Sequence, residues 1–374
     1  MTLVFAMHFL SLVPLLFLPL SNALDSPSQQ IKLGRESCNG PWEIPILDSE
    51  MLDPVTLTQI IKPYRNMAAT YGDSVSSGGT NGFIPEGMRV ERNPRTRPWK
   101  APNAEKLSMI LPNRTGLYYR DQVLDFRSYP WSTIGRLFFV KSQGSGGWCT
   151  ASLVGRNLIL TASHCFPWGF GPDRWMRFVP AYNNGTEPYG GSFVSQCRGV
   201  KNTFNVTGID YIICHLCEPL GEVAGWMGTQ WWNEPKNYMV RTWRSSGYPT
   251  DSFQGNAQML LSNINLTEVE FHSDKGKELE SDIFASPGWS GGPMWGYIGG
   301  APKIVGVCSG SEKDCSEQAK GCYGIEGMKA IDTFHDVSAG GRLMTDLTIY
   351  GMTHWADDNE VDNKEQNQND DVDG

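Results

Sequence analysis

Three short motifs stand in a fixed order along this chain: Thr161-Ala162-Ser163-His164-Cys165, then Gly208-Ile209-Asp210-Tyr211-Ile212-Ile213, then Gly288-Trp289-Ser290-Gly291-Gly292-Pro293. Leu158-Ile159-Leu160-Thr161 leads into the histidine, and Tyr211-Ile212-Ile213-Cys214 follows the aspartate. Both runs are apolar and β-prone, which puts His164 and Asp210 at strand ends. A further strand-like run, Trp148-Cys149-Thr150-Ala151-Ser152-Leu153-Val154, precedes them. A fold that uses these motifs together must therefore bring distant strand ends to one place.

The residue types suit acyl transfer. A serine hydroxyl is a poor nucleophile at neutral pH and needs a base within hydrogen-bond reach as it attacks a carbonyl, and His164 would be that base for Ser290. The imidazole must present one tautomer and be held as it becomes cationic, which calls for a carboxylate behind it, and Asp210 fits. The tetrahedral intermediate places negative charge on the former carbonyl oxygen, and the backbone N–H groups of Gly288 and Ser290 are placed to receive it. Gly288, Gly291 and Gly292 suit a tight turn that brings backbone close to a substrate.

The order His, Asp, Ser distinguishes this set from the subtilisin and α/β-hydrolase orders and matches that of chymotrypsin. From about Gln122 to about His335 the chain resembles the chymotrypsin-like serine peptidases, and more closely the secreted branch with the glutamyl endopeptidases and fungal trypsin-like peptidases. Tyr129-Pro130-Trp131-Ser132-Thr133-Ile134-Gly135-Arg136-Leu137 resembles that branch's domain start. The resemblance implies an all-β fold of two six-stranded antiparallel β-barrels, with His164 and Asp210 from the first, Ser290 from the second and the site in the cleft between. It implies a Cys149–Cys165 disulfide beside the histidine and an ending helix, for which residues 327–335 have the apolar spacing.

Trp289 departs from the family pattern. In trypsin-like zymogens a new amino terminus pairs with an acidic residue at this position, and a tryptophan cannot accept that ion pair; its indole is expected to pack under the loop. The resemblance also implies a substrate pocket around Phe284, Cys308 and Gly310. Phe284 stands where trypsin-like members carry an acid, and Cys308 where glutamyl endopeptidases carry a histidine, so neither preference is supported.

Residues 3–20 form an apolar run broken by Pro14 and Pro19 and followed by Ser21-Asn22-Ala23. Its length approaches that of a membrane anchor, but the prolines and small residues favour a signal peptide over residues 1–23, cleaved after Ala23. Nine cysteines in a secreted, extracellular chain read as a disulfide framework with at least one thiol free or paired between chains. Beyond Cys149 with Cys165, Cys197 with Cys214 or Cys217 and Cys315 with Cys322 are candidates. Sequons at Asn113, Asn184, Asn205 and Asn265 mark expected glycosylation on exposed loops.

The net charge is −9, but the segment from Asp357 to the end holds eight acidic residues and one lysine, a net of −7. Its low apolar content predicts a disordered acidic tail over 351–374. Residues 24–120 read as a pro-region or N-terminal extension, with processing candidates at Arg97, Arg114 and Arg120, and 121–350 as the peptidase domain. No metal, cofactor, nucleic acid or stable membrane partner is expected, only protein or peptide substrates and a monomer. The alternative reading is a secreted, inactive relative that keeps the barrels as a binding module, motivated by Trp289 and the undefined pocket.

Overall fold

In the computed structural model the described residues are 76–110, 119–142, 145–168, 174–199, 208–272, 276–282, 286–313 and 334–355. The architecture is mostly strand, as expected. Three strands come first: β1 (Ser77–Gly79), β2 (Thr96–Lys100) and β3 (Tyr119–Val123). Next come β4 (Ile134–Ser142), β5 (Ser145–Gly155), β6 (Leu158–Thr161), β7 (Trp175–Pro180), β8 (Ser192–Gly199) and β9 (Ile212–Leu216), which close a six-stranded barrel in the order β4-β5-β6-β9-β8-β7. The runs read as strands beside His164 and Asp210 are β6 and β9 of this barrel.

After β10 (Gly228–Trp232), the second unit comprises β11 (Trp243–Gly247), β12 (Met259–Ile264), β13 (Leu266–His272), β14 (Gly276–Ser281), β15 (Pro293–Ile298), β16 (Ala301–Lys313) and β17 (Phe334–Gly341). Its hydrogen bonds run β13-β14-β17-β16-β15-β11-β12 and then continue through β3 to β2. This second sheet takes the place of the expected second barrel, and strands from the N-terminal segment extend it at the edge of β12 (Leu260 opposite Asp121, Met259 opposite Gln122). This pairing covers the start of the β12 edge, at Met259 and Leu260. β1 likewise pairs with β10, with Gly78 opposite Trp231.

Residues from Ser76 onward in the segment read as a pro-region are therefore woven into the second sheet. Arg97 lies in β2 opposite Gln122, and Arg120 lies in β3 opposite Trp99 with a fully buried side chain. Arg120, paired and buried, is thus withheld from a processing protease, whereas Arg97 is exposed on the outermost strand of the sheet; Arg114 lies outside the described residues.

One apolar cluster fills the first barrel, including Leu137, Leu153, Ile159, Phe178 and Ile212, and another fills the second sheet, including Trp243, Leu261, Leu279, Trp289 and Val305. A third spans the two, joining Trp131, Leu158, Tyr211, Trp295 and Ile304 to Leu343, Met344 and Leu347. Each such buried side chain contributes about 1.5–3 kcal/mol relative to exposure, so this shared cluster ties the two units together.

The ending helix is Arg342–His354. It does not lie over 327–335: Phe334 and His335 belong to β17, opposite Lys313 and Glu312, and 327–333 lie outside the described residues. Gly341, at φ 97°, takes the left-handed backbone that turns strand into helix. The helix buries Leu343, Met344, Leu347 and Gly351 on one face, so the folded body continues through the buried Trp355, a few residues into the segment read as tail. Among the described residues no helix is long and apolar enough to cross a membrane.

Candidate active site

β6 ends at Thr161, and Ser163–Cys165 form a single 3-10 turn that presents His164 at the end of the strand. Asp210 precedes β9, which pairs with β6, and its side chain is almost fully buried while that of His164 is 28 % exposed. His164 Nδ1 lies 2.7 Å from Asp210 Oδ2, and the His164 backbone N–H donates to Asp210 Oδ1 at 3.0 Å. A third donor reaches the same carboxylate: Ser309 Oγ donates to Asp210 Oδ2 at 2.6 Å. A buried carboxylate held by three donors has its charge compensated and its orientation fixed, so it can hold the imidazole with Nδ1 protonated and Nε2 free as a base.

The Cys149–Cys165 disulfide forms as expected, at S–S 2.04 Å, and braces the histidine turn against β5. Cys165 Sγ lies 3.8 Å from the Ser290 carbonyl oxygen, which accepts a hydrogen bond from Thr150 N at 2.9 Å. The serine backbone therefore rests against the histidine turn. Gly291, at φ 78°, allows this approach, since a Cβ there would stand 2.1 Å from Thr161 Oγ1 and 2.8 Å from Ala162 N. Among the described residues no hydrogen bond joins Ser290 Oγ to His164; catalytic hydrogen bonds are often formed only when substrate is bound.

Gly288, at φ 93°, packs so closely that a Cβ would meet Tyr248 O at 2.5 Å. Among the described residues the N–H groups of Gly288 and Ser290 donate to no protein acceptor, so both remain available to an oxyanion. Their support comes from two sides. Thr150 Oγ1 donates to Gly288 O at 2.8 Å and accepts from Tyr248 N at 3.0 Å, tying β5 of the first barrel to the loop of the second. On the other side Trp289 is fully buried, as expected, and its Nε1 donates to Ser245 Oγ at 2.8 Å.

Of the residues expected to line a pocket, Phe284 lies outside the described residues. Cys308 is buried in the second-sheet cluster with Trp289 and Val305, and Gly310 follows an irregularity in the β16–β17 register at Ser309. That irregularity is what turns Ser309 toward Asp210. Burial, with Asp336 and Asp210 nearby, pushes the Cys308 thiol well above its ordinary range and keeps it protonated and inert. Asp336, a buried carboxylate opposite Ser311 and bonded by its hydroxyl, was not singled out by the sequence.

Cys197 pairs with Cys214, Cys217 is also disulfide-bonded, and Cys308 is a free thiol; Cys38, Cys315 and Cys322 lie outside the described residues. Cys149, His164 and Cys165 stand close enough to hold a metal, but the disulfide removes two of the three donors. His215, in β9, has Ser195 Oγ at 2.7 Å from Nδ1 and Asn157 Nδ2 at 2.6 Å from Nε2, and its ring packs on Trp355. It is barrel scaffold, as its place in Cys214-His215-Leu216-Cys217 suggests. Asn184 lies on an exposed turn and Asn265 is the exposed residue between β12 and β13, while Asn113 and Asn205 fall outside the described residues.

No curated protein matches the chain. Solved structures similar to it include a Glu endopeptidase in complex with MPD, at 19 % identity over 63 % of this chain and 97 % of that one, with TM-score 0.44. Another is the protease Anisep from Arthrobacter nicotinovorans, at 21 % identity over 56 % and 90 % of the two chains, with TM-score 0.38. A thermostable serine protease, AL20, from an extremophilic microorganism is 18 % identical over 60 % and 98 %, with TM-score 0.42. The trypsin family matches residues 128–327, more than half of the chain, so the protein belongs to the trypsin family of serine-type endopeptidases.

Proposed function

We propose that the protein is a secreted endopeptidase that hydrolyses peptide bonds of protein or peptide substrates through an acyl-enzyme on Ser290. As Ser290 Oγ bonds to the scissile carbonyl carbon, His164 Nε2 takes the hydroxyl proton and later gives it to the leaving amine. Water, deprotonated by the same nitrogen, then releases the acyl group and restores the serine. Asp210 keeps Nδ1 protonated and offsets the imidazolium charge, while the N–H groups of Gly288 and Ser290 receive the oxyanion. The observation that carries this reading is the 2.7 Å contact between His164 Nδ1 and a buried Asp210.

Secretion is supported by the apolar leader ending at Ala23 and by two disulfides among the described residues. We assign residues 1–23 to a cleaved leader, 24–120 to an N-terminal extension whose later part joins the second sheet, and the rest of the folded body to the peptidase domain. The exposed Asn184 and Asn265 are proposed as glycan sites. A fluorophosphonate probe tests the central claim: the secreted protein is expected to be labelled at Ser290, and Ser290→Ala is not. An unlabelled parent, alongside a serine hydrolase that labels normally, refutes it and leaves the binding-module reading.

A further inference from the structure

Arg120 is a cation buried beneath the nucleophile loop. Its side chain is fully inaccessible, and an unpaired charge there would cost several kcal/mol. Its partners come from separate parts of the chain. Nη1 and Nη2 donate to the two carboxylate oxygens of Asp251, Nη1 donates to Ser252 Oγ at 3.0 Å, and Nη2 donates to Ser286 Oγ. Ser286 Oγ in turn donates to Asp251 Oδ2 at 2.5 Å. The guanidinium carbon lies 5.3 Å from the Trp99 ring and 5.5 Å from the Trp289 ring, within cation–π reach of both.

These partners define a single mechanical unit. Ser286 and Trp289 flank Pro287 and Gly288, and Trp289 N donates to Ser286 O at 3.0 Å. Asp251 and Ser252 sit in the turn after β11, whose Thr250 N donates to Pro287 O at 2.8 Å. The same turn's Tyr248 O forms the surface against which Gly288 rests. A planar guanidinium with several directed donors can fix two loops at once, which a point charge cannot.

We propose that Arg120 is the latch of the oxyanion loop: a positioning residue, supplied by a strand upstream of the family-matched region, that sets Gly288 and Ser290 without a free amino terminus. The proposal rests on the endopeptidase reading. It assigns Trp289 a purpose, since an aromatic face meets the buried cation where an acid would meet an ammonium. It also predicts a distinctive pH response. An α-amino group loses its charge near pH 8, about 7.7–8.0, whereas a guanidinium stays charged throughout the working range.

The test uses the secreted enzyme, with kcat and KM measured on a peptide ester from about pH 7 to about pH 10, across the α-amino and lysine titrations. The parent is expected to keep its kcat on the alkaline side. Arg120→Met, verified as folded by near-ultraviolet circular dichroism, is expected to lose about 100-fold in kcat with little change in KM, as when one oxyanion donor is misplaced. Arg120→Lys is expected to recover part of the rate and to lose it on the alkaline side, as the amine titrates. If Arg120→Met does not fold, Ser286→Ala, which removes only the hydroxyl between latch and loop, is expected to lower kcat about 10-fold with KM unchanged. A folded Arg120→Met, or failing that Ser286→Ala, with parental kcat overturns the latch, as does a parent kcat that falls through about pH 8. A parent unlabelled by fluorophosphonate overturns the endopeptidase reading itself, and the latch with it.

Discussion

Thr150 offers the sharpest test of how the first barrel shapes the loop of the second. Its hydroxyl serves two buried groups at once, donating to Gly288 O at 2.8 Å and accepting from Tyr248 N at 3.0 Å. Thr150→Val preserves the branched shape but orphans both a carbonyl and an N–H. Leaving a buried polar group unsatisfied costs about 1–3 kcal/mol, so the pair predicts a loss of about 2–6 kcal/mol. That is a large share of the 5–15 kcal/mol typical of a folded domain, and it should appear as a lower urea midpoint with an unchanged slope. Catalysis should suffer separately. With its carbonyl released, Gly288 no longer holds its N–H toward the oxyanion, and the acylation rate at saturating substrate should fall about 10²-fold.

Thr150→Ser keeps the hydroxyl and should restore most of both quantities. The measurements are equilibrium urea unfolding and stopped-flow acylation by a peptide ester, made on parent and both variants. A Thr150→Val protein within about 1 kcal/mol of the parent, acylating within about threefold of its rate, would show that the two hydrogen bonds do not carry the loop.

Two further outcomes follow from the geometry. Asp210→Asn keeps the shape of the carboxylate but can present an amide N–H where Oδ2 accepted the hydrogen bond from Nδ1–H, so the histidine adopts the wrong tautomer; kcat should drop about 10⁴-fold near neutrality with the fold intact by circular dichroism, and a loss below about tenfold would refute the assigned role. Lys277, whose Nζ donates to Asn233 O at 3.0 Å and lies 3.4 Å from the Phe271 ring centroid, is pushed down by burial to about 8, with Glu234 opposing the shift. Because the unfolded chain binds this proton up to about pH 10.4 and the folded one only up to about 8, stability from this group rises with pH across that window. Lys277→Met should flatten the rise in urea midpoint between about pH 8 and about pH 10, and an unchanged slope would refute the assignment.

What the sequence revealed and what it hid divide along a physical line. His164, Asp210, Ser290 and the loop glycines were legible because acyl transfer needs those residue types at those places, and the apolar runs beside them declared their strands. The Cys149–Cys165 bridge followed from the resemblance. The supporting residues were not legible, because nothing local marks them. Ser309 reaches Asp210 across 99 positions, Thr150 reaches Gly288 across 138, and Arg120 reaches Ser286 across 166. Each is an ordinary strand residue until the sheet register brings its partner opposite. Arg120 reads as a processing candidate for that reason: in sequence it is a basic residue near a domain start, and its enclosure by Ser252, Ser286, Trp99 and Trp289 exists only in the fold. The helix was misplaced for a related cause, since apolar spacing over 327–335 resembles a helix face equally well, and only the positive φ at Gly341 marks where the chain leaves the sheet.

Trp289 shows how the two kinds of information combine. In sequence it is a missing acid, and a missing acid is a defect only if the loop depends on an ion pair at that position. In the fold the acid lies at Asp251, on the neighbouring turn, and the cation arrives from β3 between two indoles. Charge and counter-charge are both present, displaced by one loop. The loop's electrostatic support is therefore a property of three segments rather than of one position, and substituting Trp289 alone by an acid would set a second carboxylate against Asp251 rather than repair anything.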